Sequence, residues 1–337
     1  MFNRPKFRAS ICVKLTEQGE VFLLSERYFT LLDDPLLQLI SPLIDGNRTV
    51  DEIITILEGK VASTQIYYVL MWMKQQGYIE ESDNLPLPAS AVFSDALGEA
   101  YKLDVQKAQN NLNQTKVAVK SIGSTSASEL ISILESLQIE VAEDGDIEVI
   151  LTDDYLCTDI GVINQQALHH SRPWMLVKPV GTIIWIGPIF YPGETGCWEC
   201  MVQRIRGNRP VAGFLERHKV DSLALPTAFL PSTQQTALNI AATEIFKWIF
   251  QGRNQQLEGK LMSYDTFSLS TEIHIIPKRP QCTCCGDPTL MQKPLPLLLG
   301  SRKKKFTQDV DHQFFVQEEK PRKNKIIFST IKEIIGS

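Results

Sequence analysis

No run of roughly 18 or more apolar residues occurs in this chain, so a membrane-spanning helix is not expected and neither is a membrane partner. The longest candidate, 174–190, is broken by Lys178, Pro179 and Gly181. Residues Met1–Leu15 scatter Arg4, Lys6, Arg8 and Lys14 among apolar ones and lack the continuous apolar stretch and small-residue cleavage site of a secretory signal. A cytoplasmic protein is the expectation. Basic charge is also short, with 34 Lys and Arg against 39 Asp and Glu and a net charge of −5. That balance offers no field for a polyanion, so no nucleic-acid partner is expected.

Glycine is scarce where a nucleotide would need it. After the β-prone stretch Lys116–Lys120 comes Ser121-Ile122-Gly123-Ser124-Thr125-Ser126, with one glycine where a dinucleotide or adenylating fingerprint needs two or three. No Gly-x-x-x-x-Gly-Lys-Ser/Thr occurs either. Seven cysteines in 337 residues suit a disulfide framework less well than metal ligation. Four of them fall in two tight pairs, which suits metal ligation in a reducing compartment.

The chain is long enough for at least two cores, since single cores stop growing near ~250–300 residues. Residues 8–81 read as one small unit. Arg8–Leu15, Glu20–Leu24 and Tyr28–Leu31 are β-prone, and three helical patterns follow. The first spans Pro35–Ile44 and stops at Asp45-Gly46. The second starts at Thr49, whose hydroxyl and Glu52 make a capping box, and ends near Gly59. The third runs Ser63–Gln76, with Gly77 placed to end it before the strand Tyr78-Ile79-Glu80. Three strands, three helices and a closing strand describe a winged-helix-like module.

Beyond a Pro-containing linker and a modest helix, strands alternate with helices from Thr115. Lys116–Lys120, Ile147–Thr152, Trp174–Lys178 and Ile183–Gly187 are strands, and Ala127–Leu137 and Ser232–Phe250 are helices, so an α/β sheet is expected. The tail from Ser301 reads as a tether, with an apolar recovery at Ile326–Ile335 that fits a docking strand or the first strand of something further.

The strongest chemical signal is Cys197-Trp198-Glu199-Cys200 paired with Cys282-Thr283-Cys284-Cys285-Gly286. A two-residue gap lets both thiolates of a tight turn reach one metal at ~2.3 Å, and four sulfurs leave no open position for water. Cys197, Cys200, Cys282 and Cys285 are therefore expected to hold a structural zinc ion; Cys284 is a second candidate at the latter turn. Cys12 and Cys157, which are isolated, read as small core residues. Asp153-Asp154 follows a buried strand and reads as helix capping, because neighbours on a strand point to opposite faces. His169-His170 reads as a surface helix end, and Arg204, Arg206 and Arg209 as solvated or salt-bridged arginines.

Several longer strings resemble the N-terminal region of cyanobactin-type heterocyclases, the azoline-forming cyclodehydratases of thiazole/oxazole-modified microcin biosynthesis. They are Val149–Leu156, Leu176-Val177-Lys178-Pro179-Val180-Gly181, 192–200 (PGETGCWEC), Arg206-Gly207-Asn208-Arg209, Leu230-Pro231-Ser232-Thr233 and Cys285-Gly286-Asp287-Pro288. The likeness runs over roughly residues 10–310. It implies a winged-helix-like leader-recognition domain over 1–84, a linker and helix over 85–114, a ubiquitin-activating-like (ThiF-like) α/β domain with structural zinc over 115–300, and a tether over 301–337. In that family the ATP and Mg2+ site and the ring-closing chemistry belong to a further YcaO domain. This chain ends about where that domain would begin, so the catalytic half is expected on a separate chain or lost by truncation. A chain that is not catalytic alone is the expectation.

The resemblance also implies a ribosomal precursor peptide as partner, whose leader would add as a strand beside Tyr28, Phe29, Thr30 and Leu31. The third helix would supply the other wall through Tyr67, Tyr68, Met71 and Lys74. A homodimer is a further possible assembly. Two rival functions are an active adenylating enzyme and a winged-helix DNA regulator. The first lacks its glycine loop, and the second would read DNA with a helix whose basic residue is Lys74 alone.

Overall fold

Asp34 and Thr49 start the first two helices for a local reason. Asp34 accepts the Leu36 N–H at 2.7 Å ahead of Pro35, and Thr49 exchanges bonds with Glu52 on both sides of a capping box. The computed structural model describes residues 3–17, 19–82, 90–208, 227–287 and 289. By its contacts the chain divides into two units, Met1–Gln114 with Phe246–Arg253, and Thr115–Ile245 with Asn254–Ser337.

In the first unit β1 (Pro5–Phe7) pairs antiparallel with β5 (Ile79–Glu81), and β2 (Cys12–Leu15), β3 (Val21–Leu24) and β4 (Phe29–Leu32) form a meander in that order. The stretch expected as one strand from Arg8 to Leu15 is thus cut in two. The chain turns at Ala9-Ser10, and β1 leaves to pair with β5. Helices α1 (Pro35–Ile40), α2 (Val50–Ile56) and α3 (Ser63–Gln75) bury Ile40, Ile53, Ile66, Leu70 and Met73 against Val21, Leu23 and Ile79. Each such side chain contributes roughly 1.5–3 kcal/mol of burial. Gly77 ends α3 at φ +80°, a conformation that costs a β-carbon dearly and glycine nothing.

Cys12 is exposed on the edge strand β2, contrary to the core role expected of it. Strand alternation explains the difference: Ile11 and Val13 turn toward the core, and Cys12 between them turns away. Cys157 is half-buried against the core of the second unit. Where one modest helix was expected, two stand, α4 (Ala91–Tyr101) and α5 (Val105–Gln114).

The second unit is built on a seven-stranded sheet ordered β12-β11-β10-β9-β8-β6-β7. Its strands are β6 (Lys116–Ile122), β7 (Glu140–Val141), β8 (Ile147–Thr152), β9 (Trp174–Lys178), β10 (Ile183–Phe190), β11 (Lys260–Asp265) and β12 (Ser270–Ile275). The half from β7 to β9 is parallel and the half from β9 to β12 antiparallel. Helices α6 (Ser128–Ser136), α7 (Asp159–His170), α8 (Trp198–Gly207) and the part of α9 (Pro231–Gln251) up to Ile245 complete it. β8 is buried along its whole length, the mark of a parallel strand covered on both faces. β10 runs past the expected end at Gly187 because a bulge between Ile186 and Ile189 lets it resume pairing with β9. Among the described residues no helix is long and apolar enough to cross a membrane.

Candidate metal centre and peptide edge

The first cysteine pair is placed by the start of a helix. Cys197 is the N-cap of α8 and Cys200 lies in its first turn, so both sulfurs face the same end of the helix. Trp198 between them locks that turn. Its backbone N–H reaches Asn164 Oδ1 at 3.1 Å, and its indole N–H reaches the Tyr155 carbonyl at 2.8 Å. The second pair sits on a loop folded tightly on itself, with Cys282 N–H on Arg279 O and Gly286 N–H on Cys282 O. A β-carbon at Gly286 would stand 2.3 Å from the Pro280 carbonyl oxygen, so only glycine allows this approach.

The loop and the helix bring Cys197, Cys200, Cys282 and Cys285 together, with sulfurs all within 4.8 Å of one another. Individual Sγ–Sγ separations are 3.5 Å for Cys200–Cys285, 3.7 Å for Cys197–Cys282 and 3.9 Å for Cys197–Cys200. A tetrahedron with metal–sulfur bonds of ~2.3 Å has edges of about 3.8 Å, so the donor set fits a four-sulfur metal site. Cys284 lies outside this group, its sulfur 3.9 Å from the Thr283 hydroxyl.

Electrostatics make the same point. Four thiols at this spacing cannot all ionise without a cation. The Cys197 hydrogen bond, helped by the Arg279 N–H, draws Cys200 down to about 4, while that same bond and burial push Cys197 up and burial pushes Cys285 up to about 11. The four cysteines could bind a metal, which would balance the charge of the thiolates. Arg279 escaped the sequence reading, since a backbone donor to sulfur leaves no compositional trace.

The other flagged residues have bland surroundings. His170 Nδ1 lies 2.9 Å from Gln166 O at the end of α7, and His169 is its exposed neighbour. Arg204 donates to the Ile275 carbonyl at 3.2 Å, Arg206 is exposed, and Arg209 lies outside the described residues. The tail 301–337 also lies outside them.

Asp153 does not cap a helix. It accepts the Ser124 N–H at 2.7 Å, the Ser124 hydroxyl at 2.7 Å and the Thr125 hydroxyl at 2.6 Å, closing the loop after β6. Burial works to raise its pKa, but these donors outweigh it and hold the carboxyl below its ordinary value. Asp154 makes a local turn with the Leu156 N–H.

In the first unit β4 is the last strand of its sheet among the described residues. Ser25 N–H bonds to Tyr28 O, and alternation from that pair turns the N–H and C=O groups of Thr30 and Leu32 toward β3. Those of Phe29 and Leu31 therefore face outward. Phe29 is 78% exposed and Leu31 44%. Tyr28 is half-buried, with its hydroxyl donating to Glu99. On α3, Tyr68 and Met71 are exposed and three residues apart, so they share a face. Lys74 is exposed too, whereas Tyr67 packs against the core.

The winged helix-turn-helix domain family matches residues 4–81. No curated protein sequence matches the chain. Among solved structures, the heterocyclase TruD is similar at 34% identity and a TM-score of 0.76, over 85% of this chain and 43% of that one. A heterocyclase in complex with substrate and cofactor is similar at 35% identity and 0.76, over 86% of this chain and 40% of that one. The chain therefore spans less than half the length of either heterocyclase. Structures of MccB from E. coli share the fold at lower identity. The complex with MccA-N7isoASN has 11% identity and a TM-score of 0.54, over 84% of this chain and 99% of that one. The complex with ATP has 12% and 0.56, over the same shares. The winged-helix match and the likeness to the heterocyclases support a relation of this chain to heterocyclases.

Proposed function

We propose that this chain binds the leader of a ribosomally made precursor peptide and presents its Cys, Ser or Thr residues to a YcaO-type, ATP-dependent cyclodehydratase that closes azoline rings. The likeness to two heterocyclases at 34 and 35% identity, over 85 and 86% of this chain, carries the reading. In it the leader adds antiparallel or parallel to β4, using the outward main-chain groups of Phe29 and Leu31, with Tyr28 and Thr30 flanking them. Tyr68, Met71, Lys74 and the rim of Tyr67 on α3 supply the side-chain contacts. Docking raises the local concentration of the reacting side chains at the partner, so no chemistry is asked of this chain.

In the same reading the second unit is a ThiF-like platform, and the cysteine cluster holds zinc. Zinc would supply structural cohesion there, tying the start of α8 to the loop some eighty residues later. Asp153 favours this reading over an adenylating enzyme, because the Ser124 amide that a phosphate would need is committed to an internal carboxylate. Fluorescence anisotropy with a labelled leader tests the function. Saturable binding in the low micromolar range is expected, and a freely tumbling peptide at high micromolar protein overturns it.

A further inference from the structure

Helix α4 lies outside the stretch matched by the winged-helix family, yet it holds the meander sheet at two points. Asp95 and Glu99 are four residues apart and so share one face. Asp95 Oδ2 accepts the Ala9 N–H at 2.8 Å, at the turn between β1 and β2. Glu99 accepts the hydroxyl of Tyr28, the residue that leads directly into β4. Asp95 is only 5% exposed, and Ser94, Leu97 and Gly98 beside it are buried as well, so this helix is seated rather than loosely tethered.

We propose that Glu99 and Tyr28 are positioning residues for peptide capture, a strut from α4 that fixes where the β4 edge begins. The proposal rests on the leader-binding reading above. Strand addition needs a row of outward N–H and C=O groups held at the pleat spacing, and a frayed first residue would misplace the groups of Phe29 and Leu31. On the inner side Leu32 is buried and anchors the far end of the strand. At the near end, residues 25–28 form a tight turn with two exposed residues, Glu26 and Arg27, and the phenol of Tyr28 is its link to α4. Burial first, and then the Glu99 hydrogen bond and charge, push the phenol above its ordinary value, so Tyr28 stays a neutral donor throughout the working pH range. Tyr28 thus acts through the strand and not as a wall of the groove, and residues 4–81 alone form an incomplete recognition element.

The test compares the full chain with Tyr28→Phe, Glu99→Ala, their double variant and Glu99→Gln, which keeps an acceptor. Amide hydrogen exchange is read at Thr30 and Leu32, whose N–H groups bond to β3, with Cys12 and Lys14 of β2, whose N–H groups bond to the other edge of β3, as internal controls. A fluorescein-labelled synthetic leader of a cyanobactin-type precursor peptide is the binding probe. Exchange at Thr30 and Leu32 is expected to accelerate about tenfold in Tyr28→Phe and Glu99→Ala with Cys12 and Lys14 unmoved. Peptide affinity should fall about five- to tenfold in each, no further in the double variant, and be largely rescued in Glu99→Gln. Unchanged exchange, or additive losses in the double variant, overturns the strut. Absence of binding to the unaltered chain overturns the leader reading instead, while the exchange data still decide whether the strut exists.

Discussion

The carboxylate of Asp153 occupies the loop after β6 through the backbone N–H of Ser124, at 2.7 Å. In open α/β sheets a bound phosphate is met by such amides at the carboxyl ends of parallel strands. Here the amide already has an anionic partner from the same chain, and an incoming phosphate would meet both a spent donor and a like charge. Calorimetric titration of the chain with ATP and Mg2+ should therefore give no binding heat. Asp153→Ala leaves the Ser124 and Thr125 donors without their acceptor and should cost about 1–3 kcal/mol in urea unfolding. Saturable ATP binding by the unaltered chain would revive the adenylating alternative.

The cysteine cluster predicts a metal content. Elemental analysis of the purified chain should find one zinc ion per chain, and a strong chelator should lower the melting temperature. Cys282→Ser removes a buried sulfur from the cluster, and a loss of ~4 kcal/mol at ~2–4 °C per kcal/mol corresponds to a drop on the order of 10 °C. Cys284→Ser, outside the tetrahedral set, should stay within about 0.5 kcal/mol of the parent. Equal effects from both substitutions would contradict this assignment.

Side chain and main chain at the β4 edge can be separated. Tyr68→Ala and Met71→Ala remove exposed groups, so stability should shift by no more than ~0.5 kcal/mol while leader binding weakens severalfold. Leu31→Pro deletes one outward N–H and spares the ladder to β3, a substitution that edge strands tolerate. Leader affinity should fall by tenfold or more, with the β-sheet signal in circular dichroism retained. By contrast Ile66→Ala, fully buried on the inner face of α3, should cost ~2–5 kcal/mol. Normal binding by Leu31→Pro would remove strand addition as the mode of capture.

Asp95 gives a pH dependence of definite sign. Burial raises its pKa, more than the Ala9 N–H and the charges of Arg8 and Lys6 lower it. The folded chain then holds this proton more tightly than the unfolded one, so charging the group costs stability at neutral pH. That cost is relieved as pH falls through the raised value and is gone below the ordinary 3.8. Relative to Asp95→Asn, the parent should gain melting temperature as pH is lowered over that window. Asp153 has the opposite sign, its contribution being lost only as pH falls below 3.8.

Local chemistry made part of this protein legible from residues alone. The Thr49–Glu52 capping box, the Gly77 stop and the four ligand-spaced cysteines depend on neighbours within a few positions, where residue type dictates backbone geometry. Alternating strands and helices from Thr115 likewise announced the α/β sheet. The antiparallel hairpin β11–β12 was not read, because Lys260–Ile275 mixes charged and apolar residues without a clear period.

Tertiary structure decided what depends on partners distant in the chain. Exposure of Cys12 follows from which face of β2 meets the core. The role of Asp153 follows from the parallel pairing of β6 with β8, which sets it beside a loop 29 residues earlier. Which cysteine joins Cys282 in the cluster, Cys284 or Cys285, is set by a loop whose close backbone approach at Gly286 turns one sulfur inward and leaves the other out. The bond from Tyr28 to Glu99 spans 71 residues, and neither residue type nor local spacing encodes a partner that far away.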